Sequence, residues 1–391
     1  MPLSHTPLDD ENRPLSCDLL IIGAGVVGLW IARLAMQAGL KVILLEKRRI
    51  GAGASGGLLG ALMPHIPEQW DNEKQFQFAA LDSLSDEVRS IEQETGLSCG
   101  YLRCGRLLPL ARDQHVEMKI ARHALAQDKW QSARTGYEWK FLQSTPLEGW
   151  PSLGSMPYGM FMETLAARIN PRLYLAALAA SLVRNVSVIE GDGFQQFEEG
   201  TGAILTQKGR RIVSGHTVFA AGHESFQLLG DMLDRPADAL GKAVKGQAVL
   251  LQAGTAADLP LVFQDGTYVV PHDDGQVAVG STSENEFANG FDTDNKLEKL
   301  IDRASALCPQ LQGAKVLERW AGLRPKSKRR DPMIGFVPGH QGVLVATAGF
   351  KITFAIAHRM AGCILNLVSD GHSTDLPQAF HLEAHLTEVK A

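Results

Sequence analysis

The chain has 391 residues, 45% of them hydrophobic and 21% charged, with a formal net charge of -5. That length suffices for a large core and for division into two domains, while the small negative balance gives no electrostatic case for nucleic acid or an anionic membrane surface. Five cysteines, an odd number at irregular positions, point to reduced thiols in a cytoplasmic setting; Cys99 and Cys104 are the one close pair, and without a second pair or neighbouring histidines no metal is expected.

Residues 1–16 are polar, contain proline and lack a basic region followed by an apolar one, so they read as a flexible tail and not as a secretory signal. Cys17-Asp18-Leu19-Leu20-Ile21-Ile22 then forms a nearly all-apolar run, as a parallel strand buried on both faces requires. It leads into Gly23-Ala24-Gly25-Val26-Val27-Gly28. Gly23 permits a tight turn, Gly25 lets backbone approach a pyrophosphate, and Gly28 lets the next helix pack against the strand. That helix begins near Val26, so its first amides and positive dipole end face the phosphates. Residues 41–45 form a second strand, and Glu46, eighteen residues after Gly28, stands at its carboxyl end to accept from both ribose hydroxyls. An acid there disfavours a 2′-phosphate, which argues against NADP. The apolar run over 19–32 is too short to cross a membrane and is interrupted by these glycines.

Strand, glycines, helix, strand and acid in order specify a dinucleotide site, and the following segment separates FAD from NAD. An NAD site runs on into another strand-helix unit. Here the chain reads Arg48-Arg49-Ile50-Gly51-Ala52-Gly53-Ala54-Ser55-Gly56-Gly57-Leu58-Leu59-Gly60-Ala61, a small-residue stretch suited to close backbone approach by a second flat moiety such as a flavin. Apolar spacing predicts a helix over 69–93, expected to cover the second domain. Strands are expected over 100–110 and 247–252, and a hairpin from Tyr268-Val269-Val270-Pro271 through Asp273-Asp274-Gly275 to residues 277–280. Asn170-Pro171 supplies an N-cap and first-turn proline for a helix. Residues 186–189 and 217–222 then return as strands of the nucleotide-binding sheet, so two domains built from discontinuous segments interleave, with a ligand site at their boundary.

The order of these blocks, with Val244-Lys245-Gly246-Gln247, Val279-Gly280-Ser281-Thr282, Trp320-Ala321-Gly322-Leu323-Arg324-Pro325 and Ala346-Thr347-Ala348-Gly349, resembles the D-amino-acid oxidase superfamily of FAD-dependent amine oxidoreductases, and within it the glycine oxidases. The resemblance spans residues 17 to about 368. It implies an α/β fold (α+β overall): a Rossmann-like FAD-binding domain at 17–65, 155–243 and 318–376, interleaved with an antiparallel-sheet substrate domain at 66–154 and 244–317, and a tail at 377–391. The cofactor set it implies comprises Gly23, Gly25, Val26, Val27, Gly28, Glu46 and Lys47 on the nucleotide side. Gly53, Ala54, Ser55, Gly57, Leu58, Ala221 and Gly222 follow, and then Arg324 with Gly349, Phe350, Lys351, Ile352 and Thr353 at the flavin end. Relatives that attach FAD covalently use a cysteine near the position of Arg324; none lies there, so the FAD is expected to be noncovalent.

By the same resemblance Arg324 pairs with a substrate carboxylate and Tyr268 hydrogen-bonds it. A planar guanidinium matches two carboxylate oxygens; the alternative is a structural ion pair. The implied reaction oxidises a small amino acid or N-substituted glycine to an imine by hydride transfer to flavin N5, the enzyme's work being positioning and water exclusion. His65, His223, His272 and His358 are accordingly not assigned as bases, and Cys308 reads as a packed residue. Electrons pass on to oxygen or a quinone. Two departures from the family pattern stand out. Phe354 occupies a position where relatives have glycine and Phe350 one where they usually have histidine, so Lys351, or the N-terminus of a helix beginning near Thr353, is expected to supply positive potential to the flavin; otherwise Lys351 points to water. Lys326-Ser327-Lys328-Arg329-Arg330 makes a basic loop, read as a solvated face or a docking point for an acidic partner. Alternative functions are oxidation of an aminomethyl-modified tRNA uridine and noncatalytic flavin binding.

Overall fold

The computed structural model describes residues 14–113, 116–145 and 147–387, with the backbone alone at 117–119. The first strand, β1 (Leu15–Ile22), takes in two residues that had been expected to belong to the tail; residues 1–13 of that expected tail lie outside the described residues. Then come α1 (Val26–Gln37), β2 (Val42–Glu46), α2 (Asn72–Thr95), β3 (Arg106–Pro109), β4 (Trp139–Leu142), β5 (Met160–Glu163) and α3 (Pro171–Leu182). They are followed by β6 (Val186–Glu190), β7 (Phe194–Phe197), β8 (Ile204–Thr206), β9 (Arg211–Phe219), β10 (Gly241–Gln252), β11 (Leu261–Gln264), β12 (Thr267–Pro271) and β13 (Gln276–Gly280). Last are α4 (Asn295–Leu307), β14 (Lys315–Ser327), β15 (Met333–Phe336), β16 (Val343–Thr347) and α5 (Thr353–Asp370).

Two sheets result. In the first, the order is β15-β16-β9-β1-β2-β6, parallel from β16 to β6, with β7 and β8 as an antiparallel flap on β9. The second runs β14-β10-β13-β12-β11-β3-β5-β4 and is antiparallel except between β11 and β3. Each draws strands from both ends of the chain, and the expected hairpin of β12 and β13 forms in register from Tyr268 opposite Gly280 to Pro271 opposite Val277.

Local chemistry explains the helices that carry the first sheet. The stretch of α1 from Val26 to Arg33 is buried on every side, as a helix wedged between a sheet and two other helices must be. Buried Arg33 is neutralised by Glu94 of α2 at 2.6 Å. Helix α3 starts where Asn170 accepts the amides of Arg172 and Leu173, a side-chain cap ahead of a first-turn proline. Helix α2 begins at Asp71, which accepts from Lys74, and ends at Gly96 in the left-handed region.

Three expectations are corrected. Residues 160–163 and 318–327, expected in the FAD-binding domain, are strands of the second sheet, since β5 pairs with β3 and β14 with β10. Helix α2 does not lie over the body of the second sheet: it packs chiefly on α3 and α5, and the core cluster that takes in Phe76, Leu81, Leu84, Val88 and Ile91 reaches that sheet only at its edge strands, through Trp139 and Phe161. Nor are residues 377–387 a tail. Phe380 and Leu382 are buried, and Phe380 meets Phe76 edge-on with ring centroids 5.5 Å apart.

Candidate active site

A cavity of about 1080 Å³ runs from the carboxyl ends of β1 and β2 to the face of the second sheet. At its nucleotide end the backbone of Gly23 has φ +108°, and a methyl group there would stand 2.6 Å from Ala220 O. Only glycine fits both the angle and the approach. A Cβ on Gly28 would fall 1.9 Å from Gly23 O, so this residue serves helix–strand contact and, unlike the other expected cofactor residues, does not line the cavity. The N-cap residue of helix α1, Gly25, has no side chain to cap it and no acid stands in the first turn, which leaves the N-terminal dipole available to an anion. Ser55 Oγ accepts the Val26 amide at 3.1 Å and thereby ties the small-residue loop to the first turn of α1. Glu46 is fixed by the amides of Ala24 and Arg48, each at 2.9 Å. These use part of its acceptor capacity, since a carboxylate offers about four lone-pair sites. Lys47 pairs with Glu224 at 2.6 Å.

Gly53, Ala54, Ser55, Gly57 and Leu58 form the middle wall, where Gly57 closes against the indole of Trp320. Ala221 and Gly222 lie opposite; the Ala221 amide donates to Ser225 Oγ at 3.1 Å, and Gly222 O accepts from Thr347 Oγ1 at 2.7 Å.

At the far end, Arg324 on β14 donates from Nη1 to Ser281 Oγ at 2.8 Å, and from Nη2 to Thr282 O at 2.6 Å and Lys245 O at 3.3 Å. Burial lowers its pKa. No carboxylate forms a direct ion pair with it among the described residues, and Glu284 acts on it only from a distance. The nearby Glu284 is engaged elsewhere, by Lys296 at 2.6 Å, Thr282 at 2.5 Å and Gln247 at 2.9 Å. Tyr268 lines the same end, with its ring packed on Phe263; desolvation raises its pKa, so it stays a neutral donor.

The segment after β16 departs from what its residue types suggest. Ala348 and Phe350 have φ of +65° and +46°, a region costing a non-glycine residue about 1–2 kcal/mol. Phe354, by contrast, lies inside α5, free of any glycine-like angle, with its ring 6.2 Å from that of Tyr174. The place where relatives have glycine thus asks nothing unusual of Phe354; the left-handed backbone is four residues earlier, at Phe350. Lys351 is exposed at the cavity mouth with its ammonium 5.7 Å from the Tyr268 centroid and 5.9 Å from that of Phe350. Partial desolvation and then the neighbouring Arg324 and Lys326 lower its pKa. Lys326 and Ser327 belong to β14, while Lys328, Arg329 and Arg330 form an exposed turn.

Sequence reasoning missed several lining residues. Arg106 on β3, paired with buried Glu163 at 2.8 Å, has only strand alternation to advertise it. Ser281 was visible as part of a block without a role, and Trp320 likewise. Among the histidines, His65 and His223 line the cavity with pKa values lowered by burial. His272 donates from Nε2 to Leu58 O and falls to about 4, and His358 is buried beside Ser83 and falls to about 3. Cys308 is buried, and no cysteine lines the cavity.

A parallel-sheet dinucleotide cleft continuous with a pocket on an antiparallel sheet defines a flavin-dependent oxidoreductase. The chain belongs to the FAD dependent oxidoreductase family, whose model matches residues 18–362. It is 31% identical to the glycine oxidase of Pseudomonas aeruginosa over 372 residues, covering 90% of this chain and 94% of that one. The crystal structure of glycine oxidase from Geobacillus kaustophilus superposes with a TM-score of 0.82 at 19% identity, over 94% of this chain and 98% of that one. The iminodiacetate oxidase of Chelativorans sp. BNC1 superposes at 0.77 with 20% identity, over 93% and 98%.

The residues present fit FAD. Gly25 leaves the first turn of α1 without a side chain on the cavity side, α1 has no acid there and only its Val26 amide is taken, by Ser55, and the cavity extends from Glu46 past Trp320 to the start of α5. No helix among the described residues is long and apolar enough to cross a membrane.

Proposed function

We propose that this FAD-dependent oxidoreductase oxidises a small amino acid or N-substituted glycine to an imine, which water then converts to a 2-oxo acid and an amine or ammonia. The observation that carries the reading is Arg324: a desolvated guanidinium facing the cavity, fixed by neutral acceptors and, among the described residues, in no direct ion pair. A carboxylate arriving there gains a charge-assisted pair whose orientation is set in advance.

In this reading Gly23, Gly25, Val26, Val27 and Ser55 hold the pyrophosphate, Glu46 the ribose, and residues 349–353 the flavin end, with attachment noncovalent since no cysteine is at hand. The flavin supplies the two-electron acceptor. Arg324 fixes the substrate carboxylate and the Tyr268 hydroxyl donates to it, so the adjacent C–H bond presents a single face; positioning of this kind supplies much of an enzymatic rate. Phe350, Leu323 and Phe263 wall the pocket and limit water. His272 and His358 are held neutral and their rings are committed to Leu58 O and Ser83, which agrees with a reaction that needs no side-chain base. The final acceptor is oxygen or a quinone. A cytoplasmic location belongs to the same reading, supported by five free thiols, four of them buried.

The direct test is product analysis with glycine and its N-alkyl derivatives. Glyoxylate appearing in step with amine release supports the proposal; a yellow, FAD-loaded protein that yields no 2-oxo acid from any amino acid overturns it.

A further inference from the structure

The flavin end carries more positive charge than one substrate carboxylate can balance. Three cations surround a single ring: Arg324 Cζ lies 5.3 Å, Lys326 Nζ 5.6 Å and Lys351 Nζ 5.9 Å from the centroid of Phe350. None forms a direct ion pair among the described residues; Glu284, the acid that acts on Arg324 from a distance, is bound to Lys296. Of the acids that line the cavity, Glu46 accepts from two backbone amides, Glu224 pairs with Lys47, and Asp238 sits in the short helix Ala237–Leu240 without an ion pair.

The ring at the centre of this group is held on purpose-built backbone. Phe350 keeps φ +46° because its neighbours fix it: Lys326 bridges to Gly349, the Ile352 amide donates to Gly349 O at 3.0 Å, and Thr353 Oγ1 donates to Phe350 O at 3.2 Å. Strain of this sort concentrates where a ligand is handled. With Tyr268 on its other side, Lys351 is steered by two aromatic faces toward the pocket mouth.

We infer that the substrate is an amine bearing two carboxylates, the first held by Arg324 and the second by Lys351. This rests on the reading of Arg324 given above. A monocarboxylate balances Arg324 and leaves Lys351 repelled by its cationic neighbours; a dicarboxylate pairs both. The flavin has less call on Lys351, because α5 begins at Thr353 with no side-chain cap and no acid in its first turn, so its own dipole faces that end of the cavity.

The experiment compares kcat/KM of the FAD-loaded enzyme for matched substrates: iminodiacetate against N-ethylglycine, and aspartate against 2-aminobutyrate. At least one dicarboxylate is expected to exceed its partner by about tenfold, the scale of one partly desolvated charge pair. Lys351→Met should bring that ratio close to one, and Lys351→Arg should retain it. Monocarboxylates used as well as both dicarboxylates, or a ratio unmoved by Lys351→Met, overturns the inference while leaving the proposed activity intact. A uniform loss for both substrates accompanied by a lowered flavin potential also overturns it, since Lys351 then acts on the cofactor. Calorimetry with diglycolate, which has no nitrogen to oxidise, against methoxyacetate reads the same site without turnover. Tighter binding of diglycolate that depends on Lys351 supports the inference even if no amine is oxidised, a result that would sink only the proposed activity; equal affinities overturn the inference.

Discussion

Gly246 lies directly beneath Arg324: a methyl group on Gly246 would stand 2.6 Å from Nη2 and 2.7 Å from Cζ of the guanidinium. The two residues occupy neighbouring strands, with Val244 opposite Arg324 and Gly246 opposite Gly322. The absence of a side chain at 246 is what lets the guanidinium lie across β10 and reach Ser281 and Thr282. Gly246→Ala should therefore fold normally, because the displaced group is the end of a flexible chain, yet move the cation by a fraction of an ångström or more. We expect kcat/KM for amino acids to fall about 10- to 100-fold, the order reported for a misplaced positioning group, with an unchanged melting temperature. A wild-type kcat/KM would show that Arg324 does not orient substrate.

Replacing Arg324 itself acts at the same point. Arg324→Ala should weaken transition-state binding by roughly 2–5 kcal/mol, the range for losing one partner of a desolvated charge pair. Arg324→Lys should be nearly as damaging, because an ammonium cannot span Ser281 Oγ, Thr282 O and a carboxylate in one plane. Steady-state kinetics on the FAD-loaded variants checks both.

Ser55→Ala tests the nucleotide end separately. The hydroxyl accepts the Val26 amide at 3.1 Å and holds the loop over the first turn of α1. Its loss should weaken FAD binding by about 0.5–1.5 kcal/mol, measurable as a several-fold higher dissociation constant in flavin fluorescence titration, with kcat at saturating FAD near the wild-type value.

Three buried histidines set an acid limit on stability. Burial lowers the pKa of His358 from 6.5 to about 3, and those of His272 and His385 from 6.5 to about 4. The unfolded chain takes up these protons first as pH falls, so the stabilising contribution is whole above pH 6.5 and declines down to about 4 for His272 and His385 and about 3 for His358. Well inside that window each group removes about 1.4 kcal/mol per pH unit. Urea midpoints should thus fall steeply from pH 6.5 to 5, where few carboxylates titrate, and His358→Leu should flatten the slope by about one proton. An unaltered slope would mean that His358 does not titrate with unfolding.

The nucleotide end was legible because each of its requirements restricts one residue type at one spacing. A positive φ at Gly23 and contact with Ala220 O demand glycine, and in the proposed reading Glu46 must end β2 to reach a ribose. Helix α2 was legible as a helix but not as to its partner: spacing fixes which face is apolar and says nothing about which layer buries it. The flavin end was legible only through resemblance. That Arg324 rests on Gly246 and is held by Ser281 and Thr282 follows from the pairing of β10, β13 and β14, strands far apart in the chain. The left-handed backbone at Phe350 left no sequence signal, since aromatic residues ordinarily avoid it.

The measurement that bears most directly on the central claim is anaerobic mixing of the FAD-loaded protein with sarcosine and with dimethylamine, which differs from it by lacking the carboxylate. The account predicts rapid bleaching of the flavin absorbance by sarcosine, little by dimethylamine, and loss of that discrimination in Arg324→Ala. Equal bleaching by both amines, or none by sarcosine or any other amino acid, would contradict it.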